Sequence, residues 1–133
     1  ALGERDIMIS KFEDEFGKFD LLLSPTMPST AFPVDTPPKL IAGKEVYPSP
    51  ETMSYIYGSH PFTYPINVIG YPAATVPCGF SKDGMPIGLH IIGKKGADAL
   101  VMAASSAFEK AKPWTQYIPP VSWYYIESNK NEI

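Results

Sequence analysis

Hydrophobic residues recur near the start of the chain at Ile9, Phe12, Phe16 and Phe19, in steps of three, four and three. That spacing lines one face of a helix and predicts a plain core-facing element. Glu4 and Asp6 fall in its first turn, where the helix dipole favours negative charge. Gly17, near its end, is a stop signal. Glu13, Asp14 and Glu15 read as a solvated face. The run from Asp20 through three leucines to Ser24 and Pro25 is short, apolar and closed by proline. It predicts a strand buried on both faces.

Twelve of the fifteen prolines lie between Pro25 and Pro86. Regular helices do not absorb that density, so Pro28 to Pro50 is predicted to be a long ordered loop, and loops of that length are often functional. Pro50 to His60 fits a short helix, with Ser49 as cap and Glu51 in the first turn. Ile66 to Ile69 fits a second one. Residues 73–80 then read as a strand, Ser81-Lys82-Asp83-Gly84 as a turn, and Pro86 to Gly93 as the return strand of an antiparallel hairpin. From Ala97 to Lys112, Leu100, Ala104, Ala107, Phe108 and Ala111 share a helical face. Asp98 opens that helix, Lys110 and Lys112 close it, and Pro113 ends it.

The expected fold class is α/β: part of a mixed β-sheet flanked by helices, in the order helix, strand, loop, short helix, hairpin, helix. Residues 1–118 form the domain segment, and 119–133 a polar and aromatic tail that frays at its end. The length, 133 residues, is that of one ordinary domain. The chain opens on Ala1 rather than Met, which reads as a piece of something longer. A net charge of −3 without a basic run argues against nucleic acid as a partner. One cysteine excludes an internal disulfide and fits a reducing cytoplasm. Residues 52–81 contain no Asp, Glu, Lys or Arg. A surface loop of that length would carry charge, so the stretch is expected to be interior or covered. Four prolines and three glycines rule it out as a membrane span.

Three blocks carry a resemblance: Asp20-Leu-Leu-Leu-Ser-Pro-Thr-Met-Pro28, Phe62-Thr-Tyr-Pro-Ile-Asn-Val-Ile-Gly-Tyr-Pro-Ala-Ala-Thr-Val-Pro-Cys-Gly79, and Gly84-Met-Pro-Ile-Gly-Leu-His-Ile-Ile-Gly93. In order and spacing they resemble the C-terminal third of the amidase signature family, over roughly Arg5 to Trp114. That family includes simple amidases and the A subunit of glutamyl-tRNA amidotransferase. The resemblance implies an α/β fold and a chemistry that uses a Ser nucleophile, a second Ser in a cis peptide, a Lys base and a Gly/Ser-rich oxyanion loop. This chain has no Gly-Gly, and its Ser105-Ser106 pair lies inside the predicted last helix. The resemblance thus places the catalytic machinery in a preceding segment, with no cofactor and no metal. It puts Thr26 and Met27, at a strand's end, in a substrate funnel wall. In glutamine-handling members an Asp three residues before the position of Thr63 binds the substrate's ammonium. Here that slot holds His60, which disfavours glutamine and favours another amide. Thr26, Met27, His60 and Thr63 are the expected substrate contacts.

Other residues offer competing readings. Cys78 is either a nucleophile with His60 or His90 as base, or a small hydrophobe in a strand with no activating neighbour. His90 alternates with Leu89 and Ile91 and should face the other side of the sheet. Asn67 reads as a turn former. The two histidines lack ligand spacing for a metal. The leading expectation is therefore the scaffold and substrate wall of a hydrolase that turns a carboxamide and water into acid and ammonia, inactive by itself. Its partners would be the missing N-terminal amidase segment or other copies of the chain, and a small amide, with no membrane. The alternatives are a free-standing binding or assembly domain related to the amidotransferase component just mentioned, and an independent Cys/His hydrolase.

Overall fold

The computed structural model describes residues 2–33, 38–41, 43–45 and 60–117. In chain order these form α1 (Leu2–Phe16), β1 (Leu21–Pro25), β2 (Leu40–Ile41), β3 (Lys44–Glu45), α2 (Tyr64–Ile69), β4 (Ala73–Phe80), β5 (Pro86–Gly93) and α3 (Asp98–Ala111). The predicted helix over 50–60, apart from His60, and the tail from Pro119 lie outside the described residues.

The sheet at the centre has the order β1-β5-β4, and both of its pairings are antiparallel. With helices on both faces this is the expected α/β class. The hairpin has the predicted bounds, and Ser81 closes its turn through two bonds with Met85. The register shifts between Pro77 and Gly79, so Cys78 is the extra residue of a bulge.

Residues opposite each other on neighbouring strands share a face. One face carries the rows Leu22–Ile92–Ala73 and Ser24–His90–Thr75. The other carries Leu23–Ile91–Ala74 and Pro25–Leu89–Val76. α1 and α2 cover the first face at the Leu22 end. There Ile66, Ile69, Tyr71 and Ile92 are buried, with Met8, Ile9, Phe12 and Phe16 packed on them. Arg5 Nε donates to the Val68 carbonyl at 2.9 Å and ties the two helices together. Burial pushes the Tyr71 phenol above its ordinary range, and Glu13 nearby adds to the effect.

α3 covers the second face through Val101, Ala104 and Phe108, against Val76, Ile91 and Leu89. Gly93 permits this approach, because a Cβ there would lie 2.7 Å from Val101 Cγ2.

Several expectations need correction. α1 ends at Phe16, so Phe19 leaves the helical face and is 54% exposed. With the helix starting at Leu2, Glu4 is in the first turn and Asp6 lies beyond it. β1 is an edge strand, and Leu23 is 63% exposed because α3 does not reach over it. On α3 the buried face is centred on Val101; Leu100, Ala107 and Ala111 are exposed. The loop after Pro28 contains a two-stranded ribbon, Leu40 opposite Glu45 and Ile41 opposite Lys44. α2 starts two residues earlier than expected, since Pro65 in a first turn costs no hydrogen bond. Asn67 lies within α2 and is exposed, so it forms no turn. The charge-free stretch is only partly interior: Ile66, Ile69, Tyr71 and Val76 are buried, whereas Ala73, Thr75 and Phe80 are exposed on edge strand β4.

Candidate functional site

Beyond Pro25 the chain continues across the end of the sheet as Thr26 to Phe32. With the ends of β4 and β5 this segment lines an open cleft of about 650 Å³. That volume is in the range of small-molecule sites. Pro28 within the segment and Pro25 and Pro33 at its ends disfavour regular structure there, and its placement follows from the ladder. Thr26 N–H donates to the Gly88 carbonyl at 2.9 Å, which extends the β1–β5 pairing by one residue.

The floor of the cleft is formed by three residues, one from each side of the central strand and one on it. Thr26 directly follows outer strand β1, Thr75 stands on the other outer strand, β4, and Gly88 lies between them on β5. The hydroxyls of Thr26 and Thr75 meet at 3.2 Å. A Cβ on Gly88 would lie 2.6 Å from Thr26 Oγ1 and 2.8 Å from Thr75 Cγ2. Any larger residue would push the two threonines apart.

One row behind this floor lie Ser24 and His90. His90 is 4% exposed, and burial holds its pKa below the ordinary 6.5, so the imidazole is neutral near pH 7. Its Nδ1 lies 3.3 Å from Ser24 Oγ, and Ser24 Oγ lies 3.1 Å from the Pro25 carbonyl. The serine proton can go to the Pro25 carbonyl or to Nδ1, and the imidazole tautomer decides which. Neither Ser24 nor His90 is among the residues that line the cleft.

Of the expected contacts, the structure brings Thr26 and Met27 together in the cleft. His60 and Thr63 are not among its lining residues. His60 is exposed, and its carbonyl accepts from Tyr64 N–H at 3.1 Å. Thr63 sits at the start of α2, where its carbonyl accepts from Asn67 N–H at 3.2 Å. Cys78 is half-buried, and its thiol donates to the Ile87 carbonyl at 3.4 Å. Lys112 Nζ donates to the Cys78 carbonyl and so fastens the end of α3 to the bulge. His90 faces away from Leu89 and Ile91, as its alternation predicts. Among the described residues no His/Cys/Asp/Glu cluster suits a metal ion, and no helix is long and apolar enough to cross a membrane.

The sequence matches the family described as Amidase over residues 1–102. The chain belongs to the amidase signature family. It is 36% identical over 115 residues to the A subunit of glutamyl-tRNA(Gln) amidotransferase from Thermodesulfovibrio yellowstonii, covering 86% of this chain and 21% of that protein. A bacterial aryl acylamidase of the amidase signature family superposes with a TM-score of 0.73 at 39% identity, covering 85% of this chain and 22% of that one. The corresponding amidotransferase component of Thermotoga maritima gives 0.62 at 30% identity, over 83% and 21%. The chain thus spans about a fifth of the length of the curated relatives it matches.

Sequence reasoning placed Thr26 and Met27 at a strand's end, where they line the cleft, and read Gly88 as a turn or close-approach position, which the crowding at its Cβ matches; it did not single out Thr75. The signal for Thr75 was present. It sits two residues from Ala73 and Pro77 on the strand and so shares their face. Its meeting with Thr26 depends on a register that a bulge interrupts.

Proposed function

We propose that this amidase segment is the scaffold and substrate wall of a hydrolase acting on carboxamide C–N bonds, and that the Ser–cis-Ser–Lys machinery is carried by another stretch of protein. The observation that carries this reading is the cleft at the end of β1. It has the volume and hydroxyl lining of a substrate site, yet among the described residues no activated nucleophile faces it. Cys78 is engaged with a backbone carbonyl, and Ser24 and His90 do not line the cleft. The relatives named above act on amide bonds by their names, which supports the reaction class. Their greater length supports the division of labour.

In this reading Thr26 and Met27 contact the substrate inside the cleft, and His60 and Thr63, which do not line it, contact a part of the substrate that extends out of the cleft. No cofactor takes part, and the single free thiol favours a reducing cytoplasm. Residues 1–118 form the working segment. A chimera tests it: the matching segment of the aryl acylamidase is replaced by this chain. The chimera is expected to fold and to hydrolyse simple amides. A folded but inactive chimera would sink the reading.

Exposed apolar surface favours a second reading, a free-standing assembly domain. Leu23 on edge strand β1 and Met102 on the outer face of α3 are 63% and 67% exposed. Unpaired edges and such patches invite a partner. Both readings need one, either the N-terminal amidase segment that carries the catalytic machinery or another copy of the chain. Sedimentation at equilibrium should show self-association; a cooperative, well-behaved monomer counts against both.

A further inference from the structure

Residues 21–33, of which Thr26 to Phe32 form one wall of the cleft, contain no Asp, Glu, Lys, Arg or His. The opposite wall, from β4 and β5, adds none. The polar side chains of the lining are all hydroxyls, from Thr26, Ser29, Thr30 and Thr75. The other lining residues are apolar or glycine, with Phe32 and Ile87 the largest. His90, one row behind, is buried beside Ser24 and adds no charge near pH 7.

A carboxylate or ammonium entering this space would lose hydration and find no ion partner among the lining residues, a costly exchange. A neutral apolar group would lose nothing comparable and would gain contact with the apolar wall. One hydrogen bond is on offer. Each threonine hydroxyl has one proton and two lone pairs. Whichever of Thr26 and Thr75 donates to the other, the second keeps a proton for an outside acceptor, and a carbonyl oxygen suits it. Gly88 is what lets the two hydroxyls meet at 3.2 Å across the central strand.

We propose that the cleft takes an uncharged, largely apolar amide, with an aryl or alkyl group against Phe32 and Ile87. The Thr26–Thr75 pair supplies the hydrogen bond to the amide carbonyl, and a zwitterionic amide is turned away. The amide group rests on the reading above; the selection for a neutral ligand rests on the cleft itself.

Titration of the 133-residue chain followed by heteronuclear NMR tests this, with benzamide, glutamine and acetophenone as probes. Benzamide should move the resonances of Thr26, Thr75 and Gly88 saturably, at a concentration at least roughly tenfold below that needed for glutamine. Thr75→Val keeps the shape and removes the hydroxyl, so it should weaken benzamide by about fivefold and leave glutamine unchanged. The same spectra report whether the variant is folded. Glutamine binding as tightly as benzamide would overturn the proposal, and so would benzamide shifts that are absent or map elsewhere. Acetophenone binding as well as benzamide would support the neutral cleft and count against the amide reading alone, so the two failures are told apart.

Discussion

Gly88 has no side chain, and two threonines from either side of the central strand meet over it. Gly88→Ala would place a carbon 2.6 Å from Thr26 Oγ1, so the site must spread. Overpacking of this kind costs about 1–3 kcal/mol. Urea denaturation of the variant should show that loss, with the shifts in its spectrum confined to the cleft. His90 allows a prediction of pH dependence. Its folded pKa lies below the ordinary 6.5, so the unfolded chain binds more protons once the pH falls below that value. The stability from a neutral His90 is complete above about pH 6.5 and is lost as the pH falls toward the depressed folded pKa. The denaturation midpoint should drop as the pH falls below about 6.5, and His90→Asn should flatten that dependence. An unchanged slope in the variant would show that another group is responsible.

At the scale of elements, the hairpin was readable to the residue. Period-two alternation and the Asp83-Gly84 turn are local signals, and β4 and β5 begin and end where those signals do. α3 was placed correctly but turned slightly wrong. On a helix this rich in alanine, Leu100, Ala107 and Ala111 make a stripe as regular as Val101, Ala104 and Phe108. Only the sheet underneath chooses between them. Val101→Ala should therefore cost about 2 kcal/mol, while Leu100→Ala stays within about 0.5 kcal/mol in the isolated chain. Equal costs would mean that the outer face is also covered. Phe19 continues the spacing of α1, but the backbone turns at Gly17, and apolar spacing alone does not register a helix end. The edge position of β1 was not legible either. A run of three leucines looks the same in a central strand, and neighbours are a property of the whole sheet.

For the whole molecule, the two helical layers bury one end of the sheet and, among the described residues, leave the outer edges of β1 and β4 and the outer face of α3 uncovered. The cleft opens at the other end of the sheet, with hydroxyls on its floor and Ser24 and His90 bonded to each other behind it. Amidase membership follows from the sequence blocks; what these residues lack, in the reading proposed here, is the group that attacks the amide. The most direct measurement is ammonia release from benzamide by the purified 133-residue chain. No release above the uncatalysed rate is predicted, even where benzamide occupies the cleft. Steady turnover by the chain alone, abolished by Ser24→Ala or Cys78→Ala, would contradict the account.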